Sequence, residues 1–275
     1  MGTTTQKKVL GIILIIGLLA GVLTTTASPF IRPPIPGDMK QPFPLYRMDP
    51  GYSSKDIPLF APSDYSSLVV ERLIQNLTES MVIEYITDLT FFGPRVTASD
   101  ACDEAASYIY NEFQSMGLQV RYQNWSSSSS LFGANIEATI KGIEEPDKIF
   151  IVCGHYDSVP GSPGADDNAA GTTAVLSAAY LMKDYSFNHT IRFVCFSGEE
   201  QGLYGSRYYA LEAFENNDTI IGVLNADMMG YANDEDSGSK VRVYDDEDDS
   251  IWLTEYTTDV SVASVSYTHL RAHET

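Results

Sequence analysis

The chain of 275 residues carries 17 basic and 37 acidic side chains, a formal charge of −20. That balance opposes binding to nucleic acid or to an anionic membrane surface, and it suits a secreted protein or one living in high salt. The length accommodates one large domain with appendages, and the three cysteines make neither a CxxC pair nor a disulfide framework.

Lys7 and Lys8 precede an apolar run from Val9 to Leu23, which is followed by the small residues Thr24 to Ser28. This matches the basic, apolar and cleavage regions of a signal peptide over 1–27. The run falls short of the about 17 to 25 residues of a spanning helix, so a cleaved signal is expected ahead of a retained anchor. Either way the protein is secreted or extracellular, or held at a membrane by this segment alone. Sequons at Asn76, Asn124, Asn188 and Asn217 are compatible with export. Residues 28–63 hold nine of the thirteen prolines and show neither helical nor alternating period, which predicts a linker or an arm packed along the domain.

The folded part is expected over 64–265. Leu68, Val69, Leu73, Ile74 and Leu77 recur at helical spacing, as do Met81, Ile83, Tyr85, Ile86 and Leu89, until FFGPR (91–95) ends the second helix. Ser99 is placed to cap a helix whose stripe is Ala101, Ala105, Ile109, Phe113 and Met116, with Gly117 closing it. Leu118 to Tyr122 predicts a short strand, Ser126 to Ser130 a loop, and the alternation of Ile136, Ala138 and Ile140 a half-exposed strand. After Ile149 come three near-continuous apolar runs, IFIVCGHYDS, IRFVCFSGEE and IIGVLNADMMGY, of the kind found in strands covered on both faces. Helices over 168–182 and 203–214 supply the crossovers. The expectation is an α/β three-layer sandwich with a mostly parallel central sheet, incomplete at its C-terminus. Cys153 and Cys195 read as core thiols, and a bridge between them requires that their strands be neighbours. The acidic runs NDEDSG (233–238) and DDEDD (245–249) lack EF-hand spacing and read as solvated loops rather than calcium sites.

Each of the three apolar runs ends in side chains that bind metals. In open α/β sheets ligands sit outside the carboxyl ends of the strands, so His155, Glu199, Glu200 and Asp227 are expected to share one site, with GADDN (164–168) beside it. Any one of these residues alone has an ordinary structural explanation. Asp167 or Asn168 could cap the following helix, GEEQG could start one, and Asp227 could sit in a turn. Together they make an imidazole and carboxylate donor set without thiolates, which fits a hydrolytic zinc centre. Asp166 and Asp167 offer a bridge between two ions, Asp157 lies close enough to orient His155, and adjacent Glu199 and Glu200 suggest a division between a ligand and a general base.

These segments, with the lead-in ITDLTFFGPRVTAS and NIEATIKG, resemble the co-catalytic two-zinc aminopeptidases, the aminopeptidase Y and bacterial leucyl aminopeptidase family, over roughly Ser66 to Tyr231. The resemblance implies two Zn2+ ions, with His155 and Asp227 on one, Glu200 on the other and Asp167 bridging them. It further implies that Asp157 orients His155, that Glu199 is the catalytic base, and that the substrates are peptides with a free N-terminus. A carboxypeptidase, a dipeptidase or a glutaminyl cyclase of the same fold, and a receptor-like ectodomain without catalysis, are the alternatives. The family supplies a fifth ligand, a loop histidine, whereas the histidines after Asp227 are His269 and His273. They fall in SYTHLRAHET, where 266–275 is expected to be a non-native tail and the domain to lack its last strands and helix.

Overall fold

The computed structural model of the chain describes residues 72–127 and 131–231. The expected signal or anchor, the proline-rich segment, both acidic runs, His269, His273 and the 266–275 tail lie outside the described residues, as do residues 68–71 of the first helix and 128–130 of the serine run. Among the described residues no helix is long and apolar enough to cross a membrane.

Residues 72–76 are helical, as the spacing predicts. Helix α1 (Glu79–Phe91) starts where the Thr78 side chain accepts from Met81 N, and it stops ahead of Gly93, whose φ is +75°. Helix α2 (Asp100–Ser115) is capped by the Ser99 side chain, which accepts from Cys102 N, and it ends at Gly117 with φ +78°. Both ends follow from local chemistry: a short oxygen satisfies a free amide at the start, and a residue without Cβ takes the left-handed turn at the close.

Among the described residues five strands follow, namely β1 (Gln119–Ser126), β2 (Phe132–Ile140), β3 (Glu145–His155), β4 (His189–Phe196) and β5 (Thr219–Asn225), with α3 (Gly171–Met182) and α4 (Tyr204–Glu215) as crossovers. Their order in the sheet is β1-β2-β4-β3-β5. The pairs β3/β4 and β3/β5 are parallel, while β1/β2 and β2/β4 are antiparallel. The sheet is thus mixed, and its parallel part is the part that carries the metal-binding motifs.

Helices α2 and α3 pack on the face formed by Ile136, Ala138, Phe150, Val152, Ile191 and Phe193, α1 packs against α3 and the 165–170 turn, and α4 packs on the other face through Tyr209 against Ile149, Ile151 and Val194. Almost every residue of α3 is buried, as an apolar helix inside a layered domain must be. Gly171 opens it because nothing larger fits: an added Cβ would clash with the carbonyl oxygen of Ala226. Gly171→Ala is expected to lower stability by about 1 to 3 kcal/mol, the usual cost of overpacking, read from the denaturant midpoint.

Three expectations need correction. Strand β2 is not half-exposed, because β1 and β4 flank it and α4 covers its outer face. Glu137 is consequently only 6% exposed, bound by Arg121 Nε and Nη2 at 3.1 and 2.9 Å and by Tyr209 Oη at 2.7 Å. Strand β5 is not covered on both faces among the described residues; it is the sheet edge there, and Val223 is 48% exposed. The crossover helix begins at Gly171 rather than Asn168, since Asp167 and Asn168 depart from helical dihedrals in the preceding turn. The strands of Cys153 and Cys195 are neighbours, yet register pairs Cys195 with Gly154, and the two thiols belong to opposite faces of the sheet. No bridge can form, and all three cysteines are free and buried. Burial pushes the Cys153 thiol up to about 12, which keeps it inert at neutral pH.

Candidate metal centre

Strand β3 is central in the parallel part, with β4 on one side and β5 on the other, so the chain's direction of travel across the sheet reverses there. Carboxyl ends at such a reversal frame a crevice. Register puts Phe196 opposite His155 and Asn225 opposite Cys153. Asp227, two residues past Asn225, is therefore level with His155, two residues past Cys153. Glu199 and Glu200 follow β4 by three and four residues. With neighbouring strands about 4.8 Å apart, these side chains have to meet.

They do. His155 Nε2 lies 3.1 Å from Asp167 Oδ1 and 3.6 Å from Asp227 Oδ1. One donor atom from each of the three residues lies within 4.8 Å of the others, an arrangement that can hold a metal ion. The ring is buried at 4% exposure, whereas both carboxylates remain open to solvent at 45 and 43%. At the other ring nitrogen, Nδ1 faces the carbonyl oxygen of Asp157 at 3.2 Å and its carboxylate at 3.5 Å. That contact leaves Nε2 as the ring nitrogen that points toward Asp167 and Asp227.

Asp157 does more than orient the ring. It is fully buried, and its carboxylate accepts from Glu199 N at 3.3 Å, Glu200 N at 3.2 Å and Thr97 Oγ1 at 3.0 Å. Thr97 Oγ1 in turn accepts from Gly198 N at 3.1 Å. One carboxylate thus joins the end of β3, the turn after β4 and the segment ahead of α2.

Glu199 and Glu200 lie beside the three-residue cluster. Glu200 Oε1 is buried with no hydrogen-bond partner, which is costly for an ionised group without a cation. Burial, reinforced by the carboxylates around them, raises both glutamates above the usual carboxylate range, Asp167 being the first of those neighbours for Glu200. For His155, burial acts to lower the imidazolium but is outweighed by hydrogen bonds and charge from Asp157 and Asp227, which push it up to about 10. The orphaned oxygen and the imidazole–carboxylate donor set both fit zinc.

Among the residues not singled out from sequence is Arg95, which FFGPR offers only as a helix end. It is fully buried, and its guanidinium donates to Tyr156 O at 2.6 Å, Leu89 O at 3.1 Å, Pro163 O at 2.5 Å and Gly164 O at 3.1 Å. Thr97 is another. Asp166, read as a possible bridge, turns away from His155 and accepts instead from Gly230 N at 2.6 Å. Asn168 does cap the helix, with Oδ1 accepting from Gly171 N at 2.8 Å.

Residues 135–269 match the model of peptidase family M28. Over 187 residues the chain is 28% identical to a probable zinc metalloprotease of Leptosphaeria maculans, covering 58% of this chain and 43% of that one. Over 113 residues it is 37% identical to aminopeptidase YwaD of Bacillus subtilis, covering 41% of this chain and 25% of the relative. The chain thus spans less than half the length of either relative. Among solved structures, the aminopeptidase from Aneurinibacillus sp. strain AM-1 superposes with a TM-score of 0.52 at 17% identity, covering 57% of this chain and 72% of that one, a likeness of fold. The matched span contains His155, Asp157, Asp167, Glu199, Glu200 and Asp227, so every residue of the candidate centre lies in the part of the chain that is similar to peptidase family M28.

Proposed function

We propose that this domain is a zinc-dependent aminopeptidase, which removes N-terminal residues from peptides. The observation that carries the proposal is the convergence of His155, Asp167 and Asp227 at the carboxyl ends of adjacent strands, with Glu199 and the unpaired Glu200 Oε1 beside them. His155 and Asp227 would hold one ion, Glu200 a second, and Asp167 would bridge them. Bound zinc lowers the pKa of a coordinated water and polarises a substrate carbonyl. Glu199 takes a proton from the attacking water and returns it to the departing amine, and the upward shift that burial gives its carboxyl strengthens it as a base. Asp157 keeps His155 turned inward and holds the backbone of both glutamates in place. Export through the N-terminal segment, with release or retention at the membrane, belongs to the same proposal.

The test is release of leucine from leucyl peptides by the full chain, stripped with chelator and reloaded with zinc. Free peptides should be cut and N-acetylated ones spared. Release from the C-terminus instead would make the domain a carboxypeptidase, and loss of ammonia from N-terminal glutamine without residue release would make it a cyclase. A protein that folds but binds no zinc would leave only the receptor-like reading.

Zinc should also stabilise the fold. At about 100 times its Kd it contributes about 2.7 kcal/mol, a Tm rise of about 5 to 10 °C for a domain of this size. The pH dependence has a definite sign. Glu199 and Glu200 are raised in the zinc-free fold, so their contribution is fully present below the unfolded carboxylate pKa and is lost as pH rises through the folded values. Zinc needs those carboxylates and His155 deprotonated. The Tm gap between zinc-loaded and chelated protein should therefore shrink on acidification from pH 7.5 to pH 5, and a gap that widens would contradict the assignment.

A further inference from the structure

The residues on either side of Asp167 both reach the loop that carries Asp227. Asp166 Oδ1 accepts from Gly230 N at 2.6 Å, and Asn168 Nδ2 donates to Ala226 O at 2.9 Å. The two bonds land just before and just after Asp227 in the chain, so that residue is bracketed. Asn168 is fully buried, and its Oδ1 accepts from Gly171 N, which anchors one side of the bracket to the head of α3. Within the bracket Met229 packs partly against the core, while Met228 is 59% exposed and takes a left-handed backbone at φ 48°. A carboxylate ligand must sit at about 2.0 to 2.2 Å from zinc, and the Asp227 side chain is 43% exposed, so bonds to the backbone on either side of it are what keep its oxygen in range.

Given that Asp167 and Asp227 hold zinc as proposed above, we propose that Asp166 and Asn168 are positioning residues that set the separation of those two ligands and thereby the affinity of the centre for a divalent cation. The central Asp of Asp166-Asp167-Asn168 faces the metal, and its two neighbours fix a second ligand from a strand on the far side of β3. Neither neighbour needs to touch the ion.

Zinc affinity of the full chain, measured by competition with a chromophoric chelator, tests this, together with the visible absorption of the cobalt-substituted protein. Asp166→Ala should weaken zinc binding about 10- to 100-fold, the range for removing a partner that orients a metal ligand, and should alter the cobalt band. Asp166→Asn keeps an oxygen for Gly230 N and should rescue both. Asn168→Asp keeps the acceptor for Gly171 N but sets an oxygen against Ala226 O, and should weaken zinc in the same way. Far-UV circular dichroism of the zinc-free variants separates lost affinity from lost fold. If Asp166→Ala does not fold, Asn168→Asp decides in the same assay. Wild-type affinity in Asp166→Ala or, where that variant does not fold, in Asn168→Asp, alongside weakened binding in Asp167→Asn, overturns the positioning role and leaves the zinc centre standing. Absence of zinc binding by the unsubstituted chain, or undiminished binding by Asp167→Asn, overturns both.

Discussion

Replacing Glu199 with Gln is expected to lower kcat for peptide hydrolysis by about 10² to 10⁴-fold while zinc content stays at the wild-type value. The amide preserves size and keeps an oxygen near the cluster, but it cannot accept a proton. Its backbone amide still donates to Asp157, so the turn after β4 keeps its shape. Glu200→Gln should behave differently, because Glu200 Oε1 is the buried oxygen without a protein partner: zinc is lost first and activity with it. A Glu199→Gln enzyme that turns over at the wild-type rate would remove Glu199 from the mechanism, and one that loses zinc would make it a ligand. Activity and metal content have to be measured on the same preparations, since the distinction lies in the split between them.

What could be read from sequence was whatever local chemistry decides. Ser99 and Gly117 bound α2 because capping and left-handed closure need only near neighbours. The convergence of His155, Glu199, Glu200 and Asp227 was legible because each follows an apolar run of strand length, and strands joined by helices align their carboxyl ends. Features set by distant partners were not. Glu137 looks like the polar face of a half-exposed strand until Arg121 and Tyr209 are seen to close on it. Asp157 was legible as the partner of a histidine two residues away, but its bonds to Glu199 N and Glu200 N join a different strand end. Asp166 and Asp167 are the same residue type side by side, and only the fold sends one toward Gly230 and the other toward His155.

Arg95 is the strongest instance, and it carries the largest stability prediction. A charged side chain in a run that breaks a helix is ordinarily solvent-exposed, yet this one has no exposure and distributes its donors over the carbonyls of Leu89, Tyr156, Pro163 and Gly164. Its backbone joins the same stretch, with Arg95 N donating to Ser158 Oγ and Ser158 N to Arg95 O. The guanidinium therefore secures the whole connection from the end of β3 to the GADDN turn, the path between His155 and Asp167. Arg95→Met fills much of the volume but leaves those carbonyls without donors, at about 1 to 3 kcal/mol for each buried group left unsatisfied. Partial relaxation should bring the net loss to about 3 to 5 kcal/mol, the range for breaking a buried charged contact. Arg95→Lys should recover little, because one ammonium cannot reproduce a planar fork that reaches carbonyls on separate segments. Chemical denaturation of the zinc-free proteins gives the comparison. If Arg95→Lys matches the wild type, the fork is dispensable and the 156–164 connection is held by its own turns.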